Sequence, residues 1–392
     1  MTDDDSFIRQ ERQSAISIKA KPTFSLKDAL FNKQSVALLA GNIHAQASNF
    51  DHISFQRQVL ARFPELELKQ RIAWLVTTLE THLPERFPIA AAILEAALPA
   101  PLDPDLSDDD FGKYIWQVPG EYVAKHGCTS EYLATSLNFL RESTKRCSAE
   151  SAIRPFLQLF PRETIAFIDE CSVDGNYHVR RFSSEGIRPL LPWAARVTLP
   201  LAQIIKVLDT LHADPTRYVT RSVANTLNDI SKQDAQLVIR TLRKWQKEKR
   251  QRACELRYVT RHALRTLTKR GHPGALKLLG FTDSPEFKIA NVVATTVVRI
   301  GEKYEFRCTV RSTAQQKLLI SLCIHFLKAN GSYSTKVFAI KNLEMRKGES
   351  IEVSKSQPFK PITTRTLYPG LHKAELMING AMVAYNTFDL IL

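Results

Sequence analysis

Glu150, Glu185 and Asp229 are carboxylates set in a stretch that is otherwise strongly basic. Between Arg141 and Lys277 stand 26 Lys and Arg against 13 Asp and Glu, an excess that accounts for nearly all of the formal net charge of +14. A charge excess confined to one stretch points to a face for a polyanion rather than to general solubility. Acids inside such a face oppose its electrostatics, so they call for an offsetting use. One use is to meet a cationic group on the bound molecule, stabilising positive charge or orienting a water. Trp193, eight residues after Glu185, adds an indole face suited to cation–π attraction. The structural alternative is that these acids cap helices or orient arginines. Asp229, beside Asn225 and Asn228, equally suits a hydrogen-bond ladder. Trp116 and Glu121 form a second candidate pair whose spacing also fits ordinary packing.

The elements that position these side chains repeat. Tyr177-His178-Val179-Arg180-Arg181 is followed 40 residues later by Arg217-Tyr218-Val219-Thr220-Arg221, and after another 40 by Arg257-Tyr258-Val259-Thr260-Arg261. A second echo joins Glu150-Ser151-Ala152-Ile153-Arg154-Pro155 to Glu185-Gly186-Ile187-Arg188-Pro189. A period near 40 residues built from helix pairs is the signature of a HEAT-like solenoid, in which each pair buries its apolar stripe only by stacking on its neighbours. Amphipathic segments over Leu199–Leu211 and Asp234–Gln246 supply the linking helices, with Pro189, Pro192, Pro200 and Pro215 at helix boundaries. Stacking places Arg181, Arg221 and Arg261 in one row on a concave face, where guanidinium forks suit phosphate oxygens. Arg154 and Arg180 join them as candidate DNA contacts. The alternative is that each arginine pairs with an acid of its neighbour. Scarce acids favour phosphate, and an RNA duplex would satisfy the same row.

Upstream, helical periodicity runs from Leu26 to Leu38, then over Phe55–Phe63, Leu66–Leu83 and Ala90–Ala97. The Pro- and Asp-rich segment Leu98–Asp110 is a loop. The next helix holds Tyr114, Trp116 and Tyr122, with Pro119-Gly120 interrupting it and Gly127 as its C-cap. After Gly280 the period becomes two: Tyr304, Phe306, Cys308 and Val310 alternate with Glu305, Arg307, Thr309 and Arg311. Asn330-Gly331 and Asn379-Gly380 are hairpin turns. About seven short strands fit Glu286–Leu392. The expected fold is therefore mainly α: a polar, disordered tail over 1–22, a HEAT-like α-solenoid over 23–281, and an all-β immunoglobulin-like sandwich over 284–392, held by packing rather than a disulfide.

At 44% hydrophobic and 24% charged residues the chain is expected to be globular. The acidic start MTDDDSFIRQ has no apolar core for a secretory signal, and no run spans a bilayer, so the expected setting is cytoplasmic and nucleoid-associated. None of the six cysteines lies in a CxxC pair, and no His cluster stands beside one. A zinc or thiol-redox site is thus not expected, and the thiols read as small apolar fillers. No cofactor, no metal, no membrane and no obligate protein partner is expected, and the state expected is a monomer. A non-catalytic DNA-structure-binding solenoid and a protein-interaction scaffold are the competing classes. The arginine row argues against the scaffold, and the acids with Trp193 argue against the binder.

The motifs SAESAIRPF (148–156), VRRFSSEGIRPLLPWA (179–194) and TRSVANTLNDISK (220–232) resemble the bacterial AlkC DNA alkylation-repair proteins, relatives of AlkD. The likeness extends to FPELELKQRI (63–72), FGKYIWQVPGEYVAKHG (111–127) and YPGLHKAELMING (368–380), the last similar to an immunoglobulin-like extension carried by one AlkC subgroup. It implies a monofunctional DNA glycosylase that acts on cationic lesions such as 3-methyladenine and 3-methylcytosine in double-stranded DNA. It further implies Glu150, Glu185 and Asp229 as active-site acids and Trp193 as their aromatic partner. Ser151 departs from the family's aromatic, and Ile187 and Leu190 from its Thr and Arg; these departures bear on lesion preference rather than activity class. By the same analogy the DNA is bent and the acids reach the lesion within or beside the duplex. The C-terminal domain then either clamps DNA through Arg307, Arg311 and Lys336 or caps the last repeat.

Overall fold

The computed structural model describes residues 25–106, 108, 111–361 and 365–392; the tail expected over 1–22 lies outside them. The chain forms two compact units that divide between Phe167 and Ile168.

The first unit is helical: α1 (Leu26–Leu30), α2 (Lys33–Gln46), α3 (His52–Arg62), α4 (Leu68–Glu80), α5 (Phe87–Ala96), α6 (Gln117–His126), α7 (Leu133–Ser143) and α8 (Arg154–Leu159), with α9 (Pro161–Cys171) crossing the division. The continuous pattern over Leu26–Leu38 is in fact broken at Phe31-Asn32. Asn32 caps α2 in a capping box with Ser35. Buried Arg71 donates to the Phe31 carbonyl at the break, and also to the Lys27 carbonyl, which already accepts the Phe31 N–H. Pro119 does not interrupt its helix, because it falls in the first turn of α6, where a backbone N–H has no helical partner to lose. Gly127 ends α6 for lack of room rather than for handedness. Its φ is negative, and a Cβ there would sit 2.2 Å from Ser136 Oγ and 2.3 Å from Phe87 Cζ.

In the second unit the 40-residue motif opens or occupies successive helices: α10 (Tyr177–Gly186), α12 (Arg217–Ile230) and α14 (Ala253–Ala263), with α11 (Leu201–Leu211) and α13 (Ala235–Glu248) between them. α10 packs on α12 and α12 on α14, so the repeat is a stack of helix pairs. Apolar residues at helical spacing make the buried faces, as with Val219, Val223, Leu227 and Ile230 of α12. Polar side chains tie each repeat to the next. Arg180 bonds Asp214, and Arg217 bonds Glu255 while its guanidinium lies 3.8 Å from the centre of the Tyr258 ring. α15 (Arg265–Lys269) and α16 (Pro273–Leu278) close the helical part.

The β-domain follows in the same unit: β1 (Phe287–Ala294), β2 (Val297–Arg299), β3 (Lys303–Ser312), β4 (Gln316–Leu327), β5 (Tyr333–Met345), β6 (Ser350–Pro358), β7 (Gly370–Ile378) and β8 (Ala381–Ile391). They form a three-stranded sheet in the order β1-β3-β6 and a five-stranded sheet in the order β2-β8-β7-β4-β5. The alternation in β3 is as expected, with Tyr304, Phe306, Cys308 and Val310 inside against Leu318, Ile320, Leu322, Ile324 and Phe326 of β4. Asn379 and Gly380 both take positive φ between β7 and β8, the geometry of a tight hairpin turn. That turn presses on the helical part. A Cβ on Gly380 would lie 2.5 Å from Gly271 Cα, and Asn379 Nδ2 donates to the Thr282 carbonyl. Among the described residues no helix is long and apolar enough to cross a membrane.

Candidate functional site

Glu185 sits in the last turn of α10, and Arg188 follows one turn on. Asp229 lies near the end of α12, the helix packed beside it. Arg188 bridges the two acids. Its Nη1 donates to Glu185 Oε1 at 2.5 Å and its Nε to Asp229 Oδ2 at 3.0 Å. Ser222 Oγ, on the face of α12 turned to α10, donates to Glu185 Oε2 at 2.7 Å. Arg181, one turn before Glu185, brings a guanidinium nitrogen within 3.6 Å of it, and Lys232 Nζ stands 3.4 Å from Asp229. Burial opposes ionisation of Glu185, but the guanidinium groups of Arg181 and Arg188 and the Ser222 hydroxyl outweigh it and hold the carboxyl below its ordinary range. Arg188 in turn is held cationic, its burial offset by Glu185 and Asp229. The cluster is thus a hydrogen-bonded pair of carboxylates bridged by one guanidinium, with Arg181 and Lys232 beside it.

Its neighbourhood extends along α12. Asn225 Oδ1 accepts from Arg265 Nη2 at 3.0 Å and faces His262 Nε2 at 2.8 Å, and Asn228 Oδ1 accepts from the Thr266 backbone. The asparagines therefore form the ladder considered for this segment, and Asp229 departs from it toward Arg188. Burial, then the charges of Arg265, Arg221, Arg188 and Arg261, push His262 down to about 4, so it is neutral at physiological pH.

Glu150 belongs to the first unit. There it acts with Glu121 of α6 and with Tyr114. Burial, then the Glu150 charge, pushes Glu121 up to about 7, with Lys69 pulling the other way. Tyr114 is pushed up to about 12 by burial, with Cys147, Glu150 and Glu121 adding to it. Glu121, a second-rank candidate in the sequence, is thus a partner of Glu150. Trp116, paired with it there, is 2% exposed and part of the core.

The structure brings Glu185, Asp229, Arg181 and Arg188 together, and places Glu150 with Glu121 and Tyr114. Trp193 follows the Arg188-Pro189 segment in the second unit. It is 69% exposed and takes φ +62°, a left-handed backbone that a bulky residue rarely adopts. Of the arginines, Arg261 is exposed, Arg221 half-buried and Arg181 half-buried, with its guanidinium 4.9 Å from the Tyr218 ring centre. Arg180 is engaged with Asp214 and with the carbonyls of Asp174 and Gly175. Arg154 corrects the sequence reading. At 1% exposure it is interior, and its guanidinium is not presented to a phosphate. Arg188 is what that reading missed, although its spacing of three from Glu185 in EGIRP was the available signal.

Residues 288–392 match the family described as the C-terminal Ig-like domain of the uncharacterised protein YhaZ. Bacillus subtilis (strain 168) YhaZ itself is 32% identical over 356 residues, which cover 90% of this chain and 95% of that protein. The alkylpurine DNA glycosylase AlkC of Pseudomonas fluorescens, solved bound to DNA containing an abasic site analogue, is 32% identical. It superposes with a TM-score of 0.82 over 94% of this chain and 100% of that one. Two relatives at this identity, matched over nearly the whole chain through both the helical and the β regions, leave one conclusion: the chain belongs to the AlkC family, and it carries a YhaZ-type immunoglobulin-like domain at its C-terminal end.

Proposed function

We propose that the protein is a DNA glycosylase of alkylation repair, hydrolysing the N-glycosidic bond of cationic N3-alkylated bases such as 3-methylcytosine and 3-methyladenine in double-stranded DNA. The observation that carries this reading is the near-full-length match to a glycosylase solved on DNA, with an Arg188-bridged acid pair set in the most basic part of the chain. A methylated base with a positive charge leaves without being protonated. The enzyme then has to stabilise the oxocarbenium-like sugar and orient water, which carboxylates held in their charged form do. Glu185 and Asp229 take that role, Glu150 assists, and the exposed Trp193 indole meets the charged lesion through its face. Arg181, Arg221 and Arg261 hold phosphates of a bent duplex. The chemistry uses no lysine nucleophile, so no strand cleavage accompanies excision, and the working form is a monomer in the cytoplasm at the nucleoid.

One observation favours a second reading, a DNA-structure-binding protein that excises nothing: both Glu185 and Asp229 already bond Arg188. Base release from duplex DNA carrying 3-methylcytosine, or treated with a methylating agent, separates the two. The glycosylase reading expects wild type to release base and leave abasic sites without nicks, with Glu185→Gln and Asp229→Asn each losing most of the rate while binding DNA as before. No release from either substrate hands the case to the binder. Wild-type rates in both variants would remove the acids from the mechanism.

A further inference from the structure

The outer face of the five-stranded sheet carries a group of side chains that the DNA chemistry does not use. In β4 the residues at 318, 320, 322, 324 and 326 point into the sandwich core, so Cys323 and His325 project from the opposite face. The β4–β7 register sets Cys323 directly opposite Glu375. Two residues spaced i, i+2 on one strand and a third across the ladder make a compact corner. Cys323 Sγ lies 3.8 Å from His325 Nε2, and His325 Nε2 lies 3.2 Å from Glu375 Oε1. The three donor atoms all fall within 4.8 Å of one another.

We propose that Cys323, His325 and Glu375 bind a single zinc-class divalent cation on the outer face of the β-domain. Tetrahedral zinc takes thiolate sulfur at about 2.3 Å and imidazole nitrogen or carboxylate oxygen at about 2.0–2.2 Å, which sets its ligand atoms roughly 3.3–3.6 Å apart. The 3.2 and 3.8 Å separations bracket that range, so a small side-chain adjustment closes the cage. The imidazole is already aimed. Thr335, which pairs with His325 across β4 and β5, sets its Oγ1 3.2 Å from Nδ1. Such an outer partner fixes the ring of a metal-binding histidine and leaves Nε2 for the metal. All three ligands stand on paired strands rather than loops, which favours a fixed geometry. The donor set of one sulfur, one nitrogen and one oxygen suits zinc and disfavours magnesium or calcium, which prefer oxygen alone.

The cation on the facing strand, Lys373, lies over the Tyr333 ring, 4.8 Å from its centre. Three protein ligands leave a fourth position for water or another oxygen donor. No CxxC pair or His cluster marks this corner in the sequence, because Glu375 is 52 positions from Cys323 and is brought to it by strand register.

The test is a cobalt titration of the chelator-treated full chain. One equivalent of Co2+ is expected to bind, with a thiolate-to-cobalt charge-transfer band and the intense visible bands of tetrahedral cobalt, and Zn2+ should displace it. Cys323→Ser should abolish the charge-transfer band. Glu375→Gln should weaken Co2+ binding more than tenfold, and Thr335→Val about 10- to 100-fold. Circular dichroism of the metal-free variants checks folding. If Cys323→Ser does not fold, Glu375→Gln decides, since full affinity in that variant overturns the site. No charge-transfer band in wild type, or an unchanged band in Cys323→Ser with the metal on another thiol such as exposed Cys254, also overturns it.

Discussion

Glu185 in α10 and Glu121 in α6 are both largely removed from water, yet they are driven in opposite directions. Glu185 is held ionised by Arg181, Arg188 and Ser222, whereas Glu121 is pushed up to about 7 by burial and then by the Glu150 charge. The tryptophans nearby differ in the same sense, Trp116 buried in the core and Trp193 exposed. What separates the clusters is the cation. A guanidinium set between two carboxylates makes their burial tolerable and helps keep Glu185 charged, while two acids in proximity share a field that favours a proton. The first arrangement suits stabilising a cation in a reaction, the second suits donating or storing a proton near neutrality.

The largest test of this contrast removes the bridging cation. Arg188→Met leaves Glu185 and Asp229 buried without their shared partner and should cost about 3–5 kcal/mol, read from urea unfolding at pH 7. Adding Glu185→Gln and Asp229→Asn should recover much of that loss, since removing a whole buried ion cluster is close to neutral. The depressed carboxyl of Glu185 also sets a direction in pH. Its folded value lies below its unfolded value, so its stabilisation is present above the unfolded value and is lost as pH falls through the folded one. That acid-side loss should be smaller in Arg188→Met, with Arg181 and Ser222 still holding Glu185 down. A cost under about 1 kcal/mol would show that Arg188 is not what holds the cluster.

Glu121 should behave with the opposite sign. Its folded value is raised from 4.5 to about 7, so between those values the folded chain binds more protons than the unfolded one, and stability falls as pH rises through that window. Glu121→Gln should flatten that slope and stabilise the protein at pH 8 on the order of 1–3 kcal/mol, with little change at pH 4. Equal effects at both pH values would mean that the acid is not protonated by its surroundings. Glu150→Gln sharpens the same point more gently. Carbon-13 NMR of the Glu121 carboxyl should show its titration moving toward the ordinary range, though burial, the larger cause, stays in place.

Much of this architecture was legible in the sequence, and the parts that were not share a cause. The RYVTR repeat marked α12 and α14, and the alternation of β3 and the Asn379-Gly380 turn marked the sandwich, because these are local signals of period and turn chemistry. The break at Phe31-Asn32 was hidden because apolar spacing continues across it and the Phe31 carbonyl is met by Arg71, 40 residues away. The Glu185–Arg188–Asp229 bridge needs α10 and α12 packed side by side. The Glu121–Glu150 field needs α6 folded against a segment distant in sequence, and the interior position of Arg154 follows from packing, not from its motif. Local pattern names the element, but which charges share a site is decided between elements.

The smallest effect on stability belongs to Trp193, and it bears directly on why one cluster has an exposed indole. At 69% exposure and φ +62° the residue has little burial to lose and a strained backbone to relieve. Trp193→Gly should therefore leave stability unchanged or raise it by about 1 kcal/mol, because glycine adopts positive φ without the steric cost that a side chain meets. Base release, if the indole meets the lesion, should fall at least tenfold in the same variant, as should that of Trp193→Ala, which keeps the strain and loses only the ring. Arg181→Ala, assayed alongside, should instead shallow the salt dependence of DNA binding. A stable Trp193→Gly protein with undiminished release would mean that the left-handed indole serves the fold alone. A destabilised one would mean that contacts of the indole, not function, hold the backbone there. Unchanged or increased stability coupled to loss of release fits a side chain kept strained and exposed for a partner outside the chain.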